Sequence, residues 1–258
     1  MSRLRARCPD CKTLTAVAIG PEYQCHSCGR EFAAGLVRVP RAWGAGGEAM
    51  AEAAFMELPY PESSVIEASS LAEQNLLLAS ELPDRPIVLG GCCCAHVGAI
   101  EALTSGEECL AVVWIDAHGD LNTPETSPSG NPWGMPLRMV IDDGAVLPRN
   151  VALIAARSLD PAEAEFIEAS GIQIGAGAVE RALDGADAVY VAFDGDSVEP
   201  GELAVFMPQP GGLRLDEVEE LLRHVATRAR IAGLGFSGLR RDDANEPKLA
   251  RLAAALGL

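Results

Sequence analysis

Five short apolar runs, at residues 86–89, 110–115, 151–154, 188–193 and 230–236, recur along the chain with longer polar-faced stretches between them. Each is the length of a strand buried on both faces, the usual condition of a strand inside a parallel sheet. Helix-start signals fall between them. Ser70 with Glu73, Asp160 with Pro161 and Glu163, and Asp216 with Glu219 each place a capping residue ahead of an acidic first turn. In the third of these segments Val218, Leu221, Leu222 and Val225 keep the spacing of one core-facing helical stripe. Strand and helix in alternation predict an α/β fold, a parallel sheet with helices on both faces. The length of 258 residues, 48% of them hydrophobic, allows one substantial core and a small appendage.

The appendage is marked by cysteines. Cys8-Pro-Asp-Cys11 is followed after thirteen residues by Cys25-His-Ser-Cys28, with a glycine next. Two such pairs bring four thiolates to one tetrahedral zinc ion, and spare a module of about 35 residues the need for a large core. Tyr23, Phe32, Val17 and Ile19 supply its apolar packing. We therefore expect a zinc ribbon over residues 1–36, holding one structural Zn²⁺, and a main domain over 37–258. Arg3, Arg5, Arg7, Lys12 and Arg30 make the ribbon locally basic.

The chain as a whole is acidic, with 20 basic against 37 acidic residues and a formal net charge of −17. Such a field repels phosphate backbones and anionic membrane surfaces, so nucleic acid is an unlikely partner. Glu107, Glu108, Glu199 and Glu202 read as a solvated acidic face. No apolar run is long enough to span a membrane and no apolar segment follows the basic N-terminus, so the expected setting is the cytoplasm, with no membrane partner. The cysteine spacing, paired or consecutive, agrees with a reducing compartment.

Chemistry concentrates at two strand ends. The 110–115 run leads straight into Asp116-Ala-His118-Gly-Asp120, and the 188–193 run into Asp194-Gly-Asp196. Open parallel sheets bind their ligands beyond strand carboxyl ends. Residues i and i+2 leaving a strand point the same way, so Asp116 with His118, and Asp194 with Asp196, can face one point. Four carboxylates and an imidazole in one crevice need cations. The mixed oxygen and nitrogen set suits Mn²⁺ or Zn²⁺. The competing reading makes these residues turn formers after strands.

These segments resemble the arginase, agmatinase and formiminoglutamase (ureohydrolase) family, whose strand-end motifs DAHxDxN and DxDxxxP stand here as Asp116-Ala-His118-Gly-Asp120-Leu-Asn122 and Asp194-Gly-Asp196-Ser-Val-Glu-Pro200. Gly90-Gly91, Ser127-Pro-Ser129-Gly130-Asn131, Arg157-Ser-Leu-Asp160-Pro161 and Gly211-Gly212-Leu213 with Glu217 agree too, so the resemblance covers roughly 85 to 245. It implies the three-layer α/β/α arginase fold, a two-Mn²⁺ centre and hydrolysis of a C–N bond in a linear amidine by a metal-bridging hydroxide. It also implies a homo-oligomer and a small-molecule substrate, possibly an amino-acid derivative. On this reading Asp116 and Asp194 bridge the ions, Asp120 serves the first, and His118 and Asp196 serve the second. Asn122, Ser127, Ser129 and Asp160 match positions that hold an α-amino acid end, although each is also an ordinary loop former or helix cap.

Three positions depart from the family pattern. In Gly90-Gly91-Cys92-Cys93-Cys94, Cys93 takes the place of a histidine ligand of the first ion, and a thiolate favours Zn²⁺ or Fe²⁺ over Mn²⁺. His96 is a substitute ligand only if the loop shifts; the three cysteines also read as small buried residues, leaving a single ion on Asp116, His118, Asp194 and Asp196. Trp133 stands where arginases carry a proton-shuttling histidine, and indole has no base. Gly238, or Ser237, stands where a glutamate binds guanidinium. Arginine is thus an unlikely substrate. The expected function is an amidine C–N hydrolase of altered specificity. Its alternatives are a non-catalytic metal-binding protein with ribbon-mediated contacts and a single-zinc amide deacetylase. Gly233-Leu-Gly235-Phe-Ser-Gly238 spells a dinucleotide fingerprint, but too little chain follows it to build that unit.

Overall fold

The computed structural model describes residues 5–258 except 9, 20, 21, 33, 107 and 108. Arg3 of the ribbon's basic set, and Glu107 and Glu108 of the acidic face, lie outside the described residues. The small N-terminal unit is an antiparallel sheet of β1 (Arg5–Ala6), β2 (Ala16–Ile19), β3 (Glu22–Cys25) and β4 (Glu31–Phe32), in that order. Its core is Ala6, Ala16, Tyr23 and Phe32 with Cys8 and Cys25. Ile19, expected inside, is 53% exposed. Side chains alternate along β2, and Ala16 and Ala18 take the core side, which leaves Ile19 on the other.

All seven strands of the main sheet run parallel: β5 (Gly35–Val39), β6 (Glu62–Val65), β7 (Pro86–Gly90), β8 (Leu110–Ile115), β9 (Val151–Ile154), β10 (Ala188–Asp194) and β11 (Arg230–Ser237). Their order is β6-β5-β7-β11-β10-β8-β9. The five expected strands are present. The two others, β5 and β6, carry a buried arginine and polar residues that break the apolar run: Arg38 is held by Glu62 at 2.6 Å and by two backbone carbonyls. Strand β5 crosses the expected boundary between residues 36 and 37.

Helices cover both faces. Against one lie α1 (Leu71–Glu81), α2 (Ala95–Thr104), α3 (Pro136–Asp142) and α4 (Pro161–Ser170), which share a core with Val88, Val112, Trp114 and Tyr190. Against the other lie α5 (Ala178–Ala182), α6 (Leu215–Arg228) and α7 (Glu246–Ala255), packed on Ile87, Val113, Val191 and Phe236. This is the expected three-layer arrangement. Alternation of side chains along each strand feeds the two cores.

The caps explain where helices begin. Ser70 Oγ accepts from Glu73 N, and Glu163 reaches back to Asp160 N at 2.9 Å. For α6 the expected partner is corrected: Glu217, not Glu219, accepts the Arg214 amide at 2.7 Å, so the helix starts one residue earlier than Asp216. Glu219 instead pairs with Arg223 and Arg251 on the helix surface. Among the described residues no helix is long and apolar enough to cross a membrane.

Ribbon and sheet are joined. Arg7 and Glu62 exchange backbone hydrogen bonds of 2.7 and 2.9 Å, and Lys12 pairs with Glu57 at 3.0 Å. Inside the main fold, a Cβ at Gly235 would run into the Tyr190 hydroxyl and the His96 ring. Gly235→Ala is therefore expected to cost about 1–3 kcal/mol by overpacking; urea denaturation measures it, and an unchanged midpoint would mean the ring has room to move.

Candidate metal centre

The two acidic strand ends lie side by side. Strands β8 and β10 pair directly, with Ile115 opposite Phe193, so Asp116 and Asp194 leave the sheet as neighbours. Each then folds its own loop. Asp116 Oδ1 accepts the His118 amide at 2.8 Å, and Asp194 Oδ1 accepts the Asp196 amide at 2.9 Å. These are short Asx-type turns, in which a carboxylate organises the backbone two residues on. Asp196 Oδ1 crosses between the loops to accept from Ala117 N at 3.2 Å.

Two groups of donors result. Cys93, Asp116 and Asp120 each offer one donor atom, mutually within 4.8 Å, and so do Asp116, His118 and Asp196. Asp116 belongs to both. His118 Nδ1 is 3.4 Å from Asp116 and 3.1 Å from Asp196. Asp194 closes the ring from below, accepting from the Cys93 thiol at 2.9 Å and from Ser237 Oγ at 3.1 Å. Gly238 makes this possible: its φ is +67° and a Cβ there would overlap the Asp194 carboxylate. No side chain of any kind fits at 238 while Asp194 holds its place.

The electrostatics are those of a site short of positive charge. Burial, reinforced by Asp196, pushes Asp194 up to about 7. Burial and the neighbouring Asp116 and Asp194 hold Asp120 well above the carboxylate range. Asp116 and Asp196 are raised by burial as well. Burial works against a charged His118, but hydrogen bonds to Asp116 and Asp196 outweigh it and push the imidazole up to about 11. The Cys93 thiol is held well above its ordinary value, first by burial and then by Asp120, Asp194 and Asp116. Asp120 carries a further sign: its backbone is left-handed, φ 52°, and its buried Oδ2 has no hydrogen-bond partner. A buried carboxylate oxygen without a donor is costly, and a cation removes the cost. The donor set fits divalent ions.

Supporting residues lie far away in sequence. Arg157 donates to the carbonyls of Asp196 at 2.8 Å, Gln209 at 2.7 Å, Pro210 and Ala155 at 3.0 Å, and Ser197 at 3.3 Å, tying the β10 loop to the loop before α6. Glu163, read from sequence as a helix cap only, also accepts the Leu121 amide at 3.0 Å and so ties α4 to the Asp116–Asn122 loop. Trp114 Nε1 donates to Asp116 Oδ2 at 3.2 Å. The sequence marks Arg157 by its motif, Glu163 by its cap position and Trp114 by its apolar strand. Only the structure reveals the polar duty.

The substitute-ligand role considered for His96 is corrected. Its ring nitrogens meet Tyr190 OH at 3.0 Å and Ser237 Oγ at 3.1 Å, and burial lowers its pKa to about 3, so it is a neutral brace beneath the site. Asn122 and Asp160 bond each other at 2.8 Å. Ser127 and Ser129 accept the amides of Gly130 and Asn131 at 3.0 and 3.2 Å. None of these four is among the residues lining the cavity over the donors. That cavity, about 30 Å³, is lined by the donors with Cys92, Gly238, Met50, Trp133, Phe206 and Met207. Trp133 meets Phe206 edge-to-face at 6.0 Å. Met50, Phe206 and Met207 were absent from the sequence reading, because they come from segments with no motif.

In the ribbon, Cys8, Cys11, Cys25 and Cys28 also converge within 4.8 Å. Two backbone turns achieve this, Lys12 N to Cys8 O at 2.9 Å and Gly29 N to Cys25 O at 2.7 Å, with left-handed Lys12 after the first pair and Gly29 after the second. Asp116→Ala combined with Asp194→Ala should abolish ion uptake by the crevice and leave one ion per chain. Cys8→Ser with Cys25→Ser should do the reverse. Elemental analysis of the two purified proteins checks both expectations, and identical metal contents would refute them.

Comparison with known proteins places these features in context. Residues 56–256 match the arginase family. The arginase of Bacillus subtilis (strain 168) is 33% identical over 181 residues, which are 60% of this chain and 61% of that one, so the match spans about three-fifths of that relative. The arginase of Bacillus caldovelox is 30% identical over 228 residues, 76% of each. The solved structure of the Bacillus caldovelox arginase superposes with a TM-score of 0.75 at 25% identity, covering 86% of this chain and 97% of that one.

Proposed function

This chain belongs to the arginase family of ureohydrolases, and from that premise we propose that it is a metal-dependent hydrolase cleaving a C–N bond in a compact linear amidine, a guanidino, formimino or related compound other than arginine. One observation carries the reading: five donors from two neighbouring strand ends face a single cavity, one of them with a buried carboxylate oxygen left unpartnered. In this reading Asp116 and Asp194 would serve both positions of a two-ion site, Cys93 and Asp120 the first, and His118 and Asp196 the second. The ribbon cysteines hold a structural zinc ion. When bound, the ions supply Lewis acidity that brings the pKa of a water toward neutrality and offsets the carboxylate charge.

The remaining work falls to side chains. Asp120 commits its spare Oδ2 to the first position. Trp133 cannot carry a proton for the reaction, since indole only donates. It acts as a wall instead. With Phe206, Met50 and Met207 it closes the cavity against bulk water, and exclusion of water strengthens every interaction inside. A cavity of about 30 Å³ has room on the order of two waters. Such a site favours a small reacting head group with an apolar remainder. Asn122 and Asp160 spend hydrogen bonds on each other, and Ser127 and Ser129 on their own loop, which supports the same preference over a substrate with an α-amino acid end.

Trp133 and the side-chain-free position 238 equally favour a second reading, a metal-binding protein without turnover. The two separate on a substrate panel of guanidino, formimino and acylamino compounds, with arginine included and released amine, ammonia or urea measured. The hydrolase reading expects a compact amidine to exceed arginine in kcat/KM, and Asp120→Asn to lower kcat by at least about 10-fold together with ion uptake at the first position. Hydrolysis of acylamino compounds alone would instead identify a deacetylase. A fully loaded protein inert to the whole panel would leave the binding reading. Trp133→Ala is expected to widen the cavity and raise activity on longer substrates relative to compact ones; no change in that ratio would remove Trp133 as the wall.

A further inference from the structure

Three consecutive cysteines, Cys92 to Cys94, follow β7, yet the fold uses them differently. Cys92 Sγ accepts the Trp43 amide at 3.3 Å and packs, with Cys94, against Met50 and the residues around Trp133. Neither belongs to a donor group. Cys93 alone is turned to the carboxylates: its Sγ lies 2.9 Å from Asp194 Oδ2, 3.8 Å from Asp116 Oδ2 and 3.3 Å from Ser237 Oγ. Ser237 is itself held by the His96 ring, so the thiol sits on a braced shelf rather than on a free loop. The unpartnered Oδ2 of buried Asp120 lies in the same group and is an independent mark of a position suited to a cation.

The two donor groups therefore differ in kind. One contains sulfur and two carboxylates; the other contains an imidazole and two carboxylates. Thiolate ligands select zinc or ferrous iron, whereas carboxylate and imidazole sets accept manganese. Accepting the reading of the crevice as a two-ion centre, we propose that its two positions are occupied by unlike ions: a thiophilic one, Zn²⁺ or Fe²⁺, on Cys93, Asp116 and Asp120, and a harder one such as Mn²⁺ on Asp116, His118 and Asp196. On binding, the Cys93 proton passes to solvent and the S–H contact with Asp194 gives way to a sulfur–metal bond. His96 does not compete for the ion, because Tyr190 and Ser237 occupy both its nitrogens.

Cobalt(II) is the probe, since a thiolate ligand gives it a near-ultraviolet charge-transfer absorption that carboxylates and imidazole do not. The full chain, with its ribbon zinc retained and verified by elemental analysis, is stripped of other ions and titrated with cobalt as wild type, Cys93→Ser and Cys93→His. The wild-type spectrum should exceed that of Cys93→Ser by the absorption of one thiolate, at equal ribbon zinc. Any cobalt entering the ribbon contributes equally to both and cancels in the difference. Cys93→Ser should also bind zinc at this position at least about 10-fold more weakly, while Cys93→His should take up two manganese ions where the wild type takes one. Superimposable wild-type and Cys93→Ser difference spectra, or a wild type that binds two manganese ions as tightly as Cys93→His, would overturn the proposal. Thermal unfolding of the variants confirms that they are folded. No arm uses turnover, so a protein inert to every amidine would sink the hydrolase reading and leave this result standing.

Discussion

Four buried carboxylates gathered at the ends of two adjacent strands set the terms for everything around them. Taking even one carboxylate out of water costs several kcal/mol after relaxation, and here Asp116, Asp120, Asp194 and Asp196 are all buried with one partly shielded imidazole between them. The protein does not relieve this with a lysine or arginine: among the described residues, none lines the cavity. It relieves it in part with backbone amides and with protons, which is why burial pushes Asp194 up to about 7. Such an arrangement is unfavourable for folding by itself. The large sheet beneath holds it in place, and a cation would offset what remains of the cost.

The rigidity needed to hold like charges together comes from where the strands end. Register between β8 and β10 fixes Asp116 beside Asp194, and Asp194 pairs across to Ser237 on β11. Beneath them Tyr190, His96 and Ser237 form a hydrogen-bonded column that a Cβ at Gly235 would block. Arg157 clamps the outer loops through five carbonyls. Donors placed on strand ends and locked by such partners keep their positions better than donors on free loops.

Much of this was legible in the sequence, for identifiable reasons. Strand β8 is an uninterrupted apolar run, so the polar residues that end it stand out, and the i, i+2 rule puts them on one side. The same logic gave Asp194 and Asp196. The convergence of Cys8, Cys11, Cys25 and Cys28 was legible because two paired spacings can bring four thiolates to one point. Strands β5 and β6 were not, since Arg38 and Glu62 bury a charge pair whose partners are 24 residues apart and leave no pattern. The cavity wall was likewise hidden. Met50, Trp133 and Phe206 converge from three segments, and no local period records that convergence. His96 shows the reverse error: its nearness to Cys93 in sequence suggested a ligand, but one turn of α2 directs its ring under the sheet end.

The departures at 133 and 238 also make more sense together than apart. With no side chain at 238, the space beside Asp194 offers no carboxylate to a cationic head group, and a cation entering there would meet only the site's own donors. Trp133, stacked edge-to-face on Phe206 and pressed against Gly44, fills the approach with apolar surface. A long, zwitterionic substrate would lose its hydration on that path without gaining partners, a desolvation cost that a compact or apolar-tailed amidine largely avoids. In the proposed function a missing polar anchor and an aromatic wall push selectivity the same way, by rejecting the charged substrate as much as by attracting another. The floor of donors and the aromatic wall are thus separable parts of the fold, and the proposed function asks ion binding of the first and selectivity of the second.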